Sequence, residues 1–345
     1  MIEIDGGYLE GGGQILRTSI ALSAITKNGV HVYNIRAGRR KPGLRPQHLC
    51  GIKFASQITN GTVHGLSIGS EELTYIPRNI KGGKYLIDTR TAGAVTLILQ
   101  VLAPIGIFAD SPLILKIKGG TAVPFSPTIE YFRNVLCHFL KMMGCTILLD
   151  TERHGFYPAG GGKVFAKILP AELRTIELVE RGKLLKIDAT AISSNSLKKR
   201  NVSERLIEGF KEIFDGANTR VLYVDSISPS CFVHTQAHFE KGKLGADSLG
   251  KRGKKAEDVG KEAALSLKKE IESNAPVDRW LVDQIILYLA LATYFHKMVS
   301  VLKIPCLTEH AKTNIWVIKK ILPLDFEIKD SIMQITPIGI KEGQV

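Results

Sequence analysis

Cysteine is scarce and scattered. The 345 residues include five, at positions 50, 137, 145, 231 and 306, with no CxxC pair and no metal-type spacing to histidine. That pattern argues against a zinc module. An odd count among mostly apolar neighbours also argues against a disulfide framework, so reduced thiols in a cytoplasmic protein are expected. Long hydrophobic runs are lacking as well. The longest, AGAVTLILQVLAPIGIFA, is broken by Gln100 and Pro104, which favours a buried helix over a membrane span. The opening MIEIDGGYLE is acidic and has no basic stretch leading into an apolar one, so no signal peptide is expected. Acidic residues are in deficit: 33 Asp and Glu face 46 Lys and Arg, a net charge of +13. Such a surplus fits a polyanionic partner, nucleic acid first, although on charge alone the odds are even.

What is present reads as an ordinary globular protein, 44% hydrophobic and 23% charged. At this length two or more domains or repeats are expected. A block recurs along the chain. GGGQILRTSIALSAI predicts a helix, NGVHVYNIR a strand, LRPQHLCGIKFASQIT a second helix and EELTYIP a closing strand. TAGAVTLILQVLAPI, SPLILKIKGG and SPTIEYFRNVLCHFLKMMG repeat the series, with proline near the start of the second helix and glycine at its end. PVDRWLVDQIILYLALATYF, MVSVLKIPC, TEHAKTNIWVIKKIL and a closing hairpin repeat it again, at a spacing of roughly 80 residues. The fold class is therefore α/β (α+β), with three βαβα-type units about a shared core. Residues 181–275 differ, being lysine-rich with strands and amphipathic helices. They read as a small α+β domain inserted into the third unit, leaving 1–180 and 276–345 as the large domain.

The junction before each second helix is a loop feeding a helix N-terminus: RAGRRKPGLRPQ, KGGTAVPFSPT and IPCLTEHAKTN. Helix N-termini present free N–H groups that suit phosphates. If the units pack symmetrically, the three junctions meet and His310 stands in an anion-binding neighbourhood. Arg36, Arg39, Arg40, Lys41 and Arg45 make the first junction the densest basic stretch, and phosphate or RNA contact is favoured over a solvated loop. EGGGQILR sets Glu10, Gln14 and Arg17 around a glycine turn that permits close approach to a ligand.

Other motifs read less sharply. HGFYPAGGGKV is read as structural, and His154 with it. GADSLGKR fails as a phosphate loop, since Arg252 stands where a hydroxyl is needed and no strand leads into it. Trp280, Asp283 and Gln284 on a largely apolar helix could stack on and bond a base, or form a core tryptophan with a buried pair; the two readings stand level. Gln100 interrupts the equivalent helix of the second unit, and a matching interruption is harder to dismiss.

EGGGQILR, RAGRRKPGL, HGFYPAGGG, DQIILYLALA and a histidine shortly before TN together resemble the RNA 3′-terminal phosphate cyclases, over almost the whole chain; KPGLRPQHL and SLGKRG resemble the archaeal and eukaryotic branch. The resemblance implies a large domain of three units similar to the C-terminal domain of translation initiation factor 3, plus a small insert. It implies an ATP-dependent enzyme that turns an RNA 3′-phosphate into a 2′,3′-cyclic phosphodiester. His310 is implied as the nucleophile that carries AMP, with Mg²⁺ or Mn²⁺ as the divalent ion. Glu10 falls at the metal and triphosphate, with Gln14 and Arg17 at the same end. Arg17, Arg36, Arg39 and Gln47 fall among the RNA and phosphate contacts. Gln100, Pro127 and the run Trp280, Leu281, Val282, Asp283 and Gln284 fall at the adenylate pocket, which Gln14 also borders. Tyrosine is commoner in the family where this chain has Trp280; stacking survives that change and a hydroxyl contact does not. RNA 3′ ends are the implied partner, no membrane is expected, and self-association stays open. The alternative is a non-catalytic cyclase-like protein that binds RNA in ribosome assembly; such proteins lack the histidine.

Overall fold

The acidic opening of the chain is a strand. Ile2–Asp5 (β1) alternates apolar and acidic residues, which sets Ile2 and Ile4 on one face. It pairs parallel with Val30–Tyr33 (β2), Ile4 opposite Val32. The computed structural model describes residues 1–339. The helix α1 (Gly13–Thr26) joins β1 to β2. Then follow α2 (Pro46–Thr59) and the antiparallel strands β3 (Thr62–His64) and β4 (Leu73–Ile76), giving the sheet order β1-β2-β4-β3.

The succession recurs. In the second unit β5 (Gly83–Asp88), α3 (Val95–Ile107) and β6 (Leu113–Gly119) lead to a composite helix. This comprises α4 (Ile129–Tyr131), a π-helical turn (Phe132–Leu136) and α5 (Cys137–Met142), where the sequence predicts one uniform helix. The hairpin β7 (Ile147–Arg153) and β8 (Gly162–Ile168) completes the order β5-β6-β8-β7. The third unit opens with β9 (Glu177–Leu178) and is interrupted. In the interruption lie β10 (Leu184–Ser194), α6 (Val202–Lys211), β11 (Asn218–Val224), β12 (Cys231–Phe239), β13 (Lys243–Leu249) and α7 (Ala256–Glu272). The unit resumes with α8 (Arg279–His296), β14 (Ser300–Lys303), α9 (Glu309–Ile321), β15 (Leu324–Lys329) and β16 (Ile332–Pro337). Its sheet order, β15-β16-β14-β9, is that of the first two read from the other edge.

Each unit is thus β-α-β-α-β-β. The βαβα pattern read from the sequence includes a first strand but locates no segment for it. Its pairing lies across a whole helix, parallel to a distant strand, and β9 is two residues long. No local period marks so short an element. The segment read as a failed phosphate loop likewise contains a strand: β13 runs antiparallel to β12, Ala246 opposite Thr235.

Helices line the centre and sheets the outside. Along β6, Leu113, Leu115 and Ile117 are buried while Lys116 and Lys118 face solvent. In α8 every residue from Leu281 to Thr293 is buried except Asp283. A helix apolar all round belongs in the middle of a core, and each buried Leu or Ile there contributes about 1.5–3 kcal/mol. α1 packs against α2, α3 and α9, and one hydrophobic cluster runs through all three units. The interrupting segment has clusters of its own, around Leu206, Phe210 and Val259 and around Leu244 and Leu267.

Two carboxylates tie that segment to helix starts. Asp278, the N-cap of α8, accepts from Leu281 N at 2.9 Å and from the Tyr131 hydroxyl at 2.5 Å, while its other oxygen accepts from Gly245 N on β13 at 2.8 Å. Asp247 on β13 accepts from the Thr128 hydroxyl, the N-cap of α4, at 2.6 Å.

Candidate active site

In α3 every residue is buried except Leu97 and Gln100. These two, three apart and so on one face, look into a cavity of about 700 Å³. Gln14 and Arg17 on α1, and Trp280 and Asp283 on α8, are spaced alike and line the same cavity. The second helices arrive from the other side. Arg36, Arg39, Gln47 and His48 come from the first junction, Phe125, Ser126 and Pro127 from the second, and Thr308, Glu309 and His310 from the third. The three junctions meet, as the symmetric packing of the units predicts. Asp247 and Leu249 on β13 complete the wall.

His310 is the second residue of α9, whose N-cap Thr308 accepts from Ala311 N at 3.0 Å. Its ring is half-buried, with Nδ1 3.1 Å from a carboxylate oxygen of Glu10. The same oxygen lies 3.4 Å from the Arg39 guanidinium. Burial lowers the His310 pKa below the ordinary histidine value; Arg17 and Arg39 add to this and Glu10 opposes it. The ring is therefore neutral at neutral pH. With the Glu10 carboxylate beside Nδ1, the ring proton is favoured there and the lone pair on Nε2.

The glycine turn before α1 has two strict demands. Gly11 holds φ +52°, the left-handed region where other residues are strained. At Gly13 a Cβ would come within 2.5 Å of His48 Nε2. His48 is buried, and its Nδ1 accepts from Arg45 N at 3.2 Å, closing the start of α2. Burial first, then Arg17, Arg36 and Arg45, push its pKa down to about 3.

Arg17 is a buried cation. Its Nη2 donates to Gln14 Oε1 at 2.6 Å, but its Nε has no partner, and burial lowers its pKa only to about 10. It stays charged with a donor to spare, as an anion site requires. Gln14 donates to Asn314 Oδ1 at 2.9 Å, and Asn314 donates to the Asp283 carbonyl at 2.6 Å, which locks α1, α9 and α8 together. Thr308 donates to the Asp283 carboxylate. Burial, with Asp278 and Glu10 adding, raises Asp283 to about 7, while the Thr308 bond opposes this. Gln100 donates to Gln284 Oε1 at 3.1 Å, and Gln284 donates to the Trp280 carbonyl at 3.0 Å.

Of the residues singled out from sequence, Glu10, Gln14, Arg17, Arg36, Arg39, Gln47, Gln100, Pro127, Trp280, Asp283, Gln284 and His310 all line this cavity. Leu281 and Val282 do not. Both side chains are fully buried in the core, because they fall on the faces of α8 turned away from Trp280 and Asp283. Arg36 reaches the cavity but spends Nη1 on the Lys41 and Gly43 carbonyls, at 2.7 and 2.9 Å, folding its own loop. His154, read as structural, is buried among Glu130, Phe156 and Phe232. The reading from sequence missed His48, Phe125, Asp247, Leu249, Arg279 and Thr308. Only Thr308 carried a local signal, a threonine directly before a periodic helix.

A family model described as RNA 3′-terminal phosphate cyclase matches residues 8–328. The chain belongs to the RNA 3′-terminal phosphate cyclase family. Three archaeal relatives named RNA 3′-terminal phosphate cyclase are similar to it over nearly the whole of both chains. That of Ignicoccus hospitalis is 39% identical, with 96% of each chain covered. That of Pyrococcus furiosus is 40% identical, again with 96% of each covered. That of Sulfurisphaera tokodaii is 41% identical over 95% of this chain and 96% of its own.

Proposed function

We propose that this chain, an enzyme of the cyclase family, uses ATP to close RNA 3′-terminal phosphates into 2′,3′-cyclic phosphodiesters, with His310 as the carrier of AMP. The observation that carries this reading is the His310–Glu10 contact of 3.1 Å inside a cavity that also holds the unsatisfied guanidinium of Arg17.

The chemistry follows from the groups. A 3′-phosphate is a poor electrophile, because its leaving group would be oxide. His310 Nε2 attacks the α-phosphorus of ATP, the P–N bond forms as the P–O bond to pyrophosphate breaks, and a histidine adenylate results. An oxygen of the RNA 3′-phosphate then attacks the same phosphorus and displaces the imidazole. The neighbouring 2′-hydroxyl attacks the 3′-phosphorus last, and AMP leaves; proximity favours this ring closure. Glu10 holds the His310 tautomer and offsets the positive charge that develops on the ring during attack. Arg17 on α1, Arg39 in the loop before α2 and Gln47 at the start of α2 bind phosphate oxygens. Pro127 and Trp280 flank the adenine, and Gln100 and Gln284 meet its edge.

Among the described residues no group of three or more His, Cys, Asp or Glu is placed to hold a metal ion. Four carboxylates line the cavity, Glu10, Asp247, Asp283 and Glu309, and of these Glu10 is the one beside His310. With no cluster of protein ligands, Glu10 would share a magnesium or manganese ion with phosphate oxygens and water, and the ion would neutralise triphosphate charge.

The same reading divides the chain into a large domain, 1–180 with 276–345, and an insert, 181–275. The shared sheet order of the three units supports it, and the same reading likens those units to the C-terminal domain of translation initiation factor 3. It also places the protein in the cytoplasm. No helix among the described residues is long and apolar enough to cross a membrane. A purely RNA-binding role is not favoured, since the relatives carry the name of an enzyme and His310 faces the cavity.

The test is end-group conversion. RNA bearing a 3′-phosphate, incubated with ATP and magnesium, becomes resistant to phosphatase, and the His310→Asn variant leaves it sensitive. A folded wild-type protein that leaves the ends sensitive contradicts the proposal.

A further inference from the structure

Phe125 has its side chain wholly in solvent, at 102% relative exposure, on the lip of the cavity. It follows Pro124 and holds φ +65°, where turns ordinarily take glycine or asparagine. A bulky apolar residue is disfavoured there both by sterics and by exposure, and such features persist where a ligand uses them. Across the cavity wall, Leu249 ends β13 and the chain enters GKRGKK, the segment that failed as a phosphate loop. Gly250 anchors it, donating to the Cys231 carbonyl at 2.8 Å, and Lys254 pairs with Glu262. Lys251, Arg252 and Lys255 are exposed and make no ion pair among the described residues.

We propose that Phe125 and the loop at residues 250–255 form an entry path for single-stranded RNA: Phe125 stacks on a base at the 3′ end, and Lys251, Arg252 and Lys255 take phosphates upstream of it. An aromatic face and a set of unpaired cations are together what binds single strands without reading sequence. The loop belongs to the segment that interrupts the third unit, so that segment gains a role in holding substrate. The inference rests on the RNA-end reading of the cavity.

The test is binding, measured by fluorescence anisotropy with a 3′-phosphorylated oligoribonucleotide across a range of potassium chloride. Phe125→Gly removes the ring and relaxes the backbone, so the fold is kept; binding weakens about tenfold. Lys251→Glu with Arg252→Glu flattens the plot of log affinity against log salt by about 1.4, the slope of two lost single-strand phosphate contacts. A nucleoside 3′-monophosphate, too short to reach the loop, binds this double variant as it binds the wild type. Affinity within about twofold of wild type for both variants, or a loss in only one, overturns the path. If wild type binds in this way yet leaves the RNA end uncyclised, the reading of the cavity falls and the path stands.

Discussion

Two histidines open equivalent helices of this fold and face opposite fates. His48 lies in the first turn of α2 and His310 in the first turn of α9. His48 is buried among Arg17, Arg36 and Arg45, far from any ability to take a proton, and accepts a backbone N–H on Nδ1. His310 meets the cavity, with a carboxylate on Nδ1 and Nε2 free for chemistry. Position at a helix start is shared, so it does not decide the role. What decides is the partner: a backbone donor makes one ring a structural acceptor, and Glu10 makes the other a base or nucleophile.

The comparison can be broken by substitution. The largest effect is expected at His310, where replacement by Asn should cut self-adenylation by ~10³-fold or more, as loss of a nucleophile does. The readout is transfer of label from α-labelled ATP to protein. His48→Asn, which keeps an acceptor for Arg45 N, should retain adenylation within about tenfold. Comparable loss in both variants would erase the distinction.

Next comes Glu10→Gln, expected to lower adenylation about 10²-fold through loss of tautomer control and charge. Its pH profile sharpens the point. The His310 pKa lies below the usual histidine value, so the wild-type rate should hold as pH falls through that value and drop only at more acid pH, when the ring protonates. Glu10 is the one influence raising that pKa, so Glu10→Gln should move the acid limb further down. A limb moving up would contradict the contact.

A smaller effect is expected on stability at His48. His48→Ala leaves the partly buried Arg45 N–H without its acceptor and should cost about 1 kcal/mol in chemical denaturation. The smallest concerns Asp283, the counterpart of Arg17 on α8. Its folded pKa, raised to about 7, lies above the unfolded value. Its contribution to stability is thus present at acid pH and lost as pH rises through 7. Asp283→Asn should raise the melting temperature by about a degree or two at pH 8 and change little at pH 4.

The same contrast explains what the sequence disclosed. The helices carried a strong 3.6-residue period, and polar interruptions at Gln100 and Asp283 mark the faces that line the cavity. The junction motifs marked where phosphates meet helix starts, and their convergence followed from the repetition. Short parallel strands left no local signal: β1 and β5 pair across a helix, and β9 spans two residues. Asp247 and Leu249 reach the site only through the pairing of β13 with β12, a long-range event. Leu281 and Val282 lay within a run that the family resemblance took whole. The helix geometry divides that run, turning their side chains to the core and those of Trp280 and Asp283 to the cavity.

The account stands most directly on where AMP attaches. The protein is incubated with ATP and magnesium and digested at alkaline pH, and its peptides are mapped by mass spectrometry. We expect one AMP on the peptide containing His310, released by mild acid as a phosphoramidate should be. AMP on a lysine, or on the peptide containing His48, would contradict it.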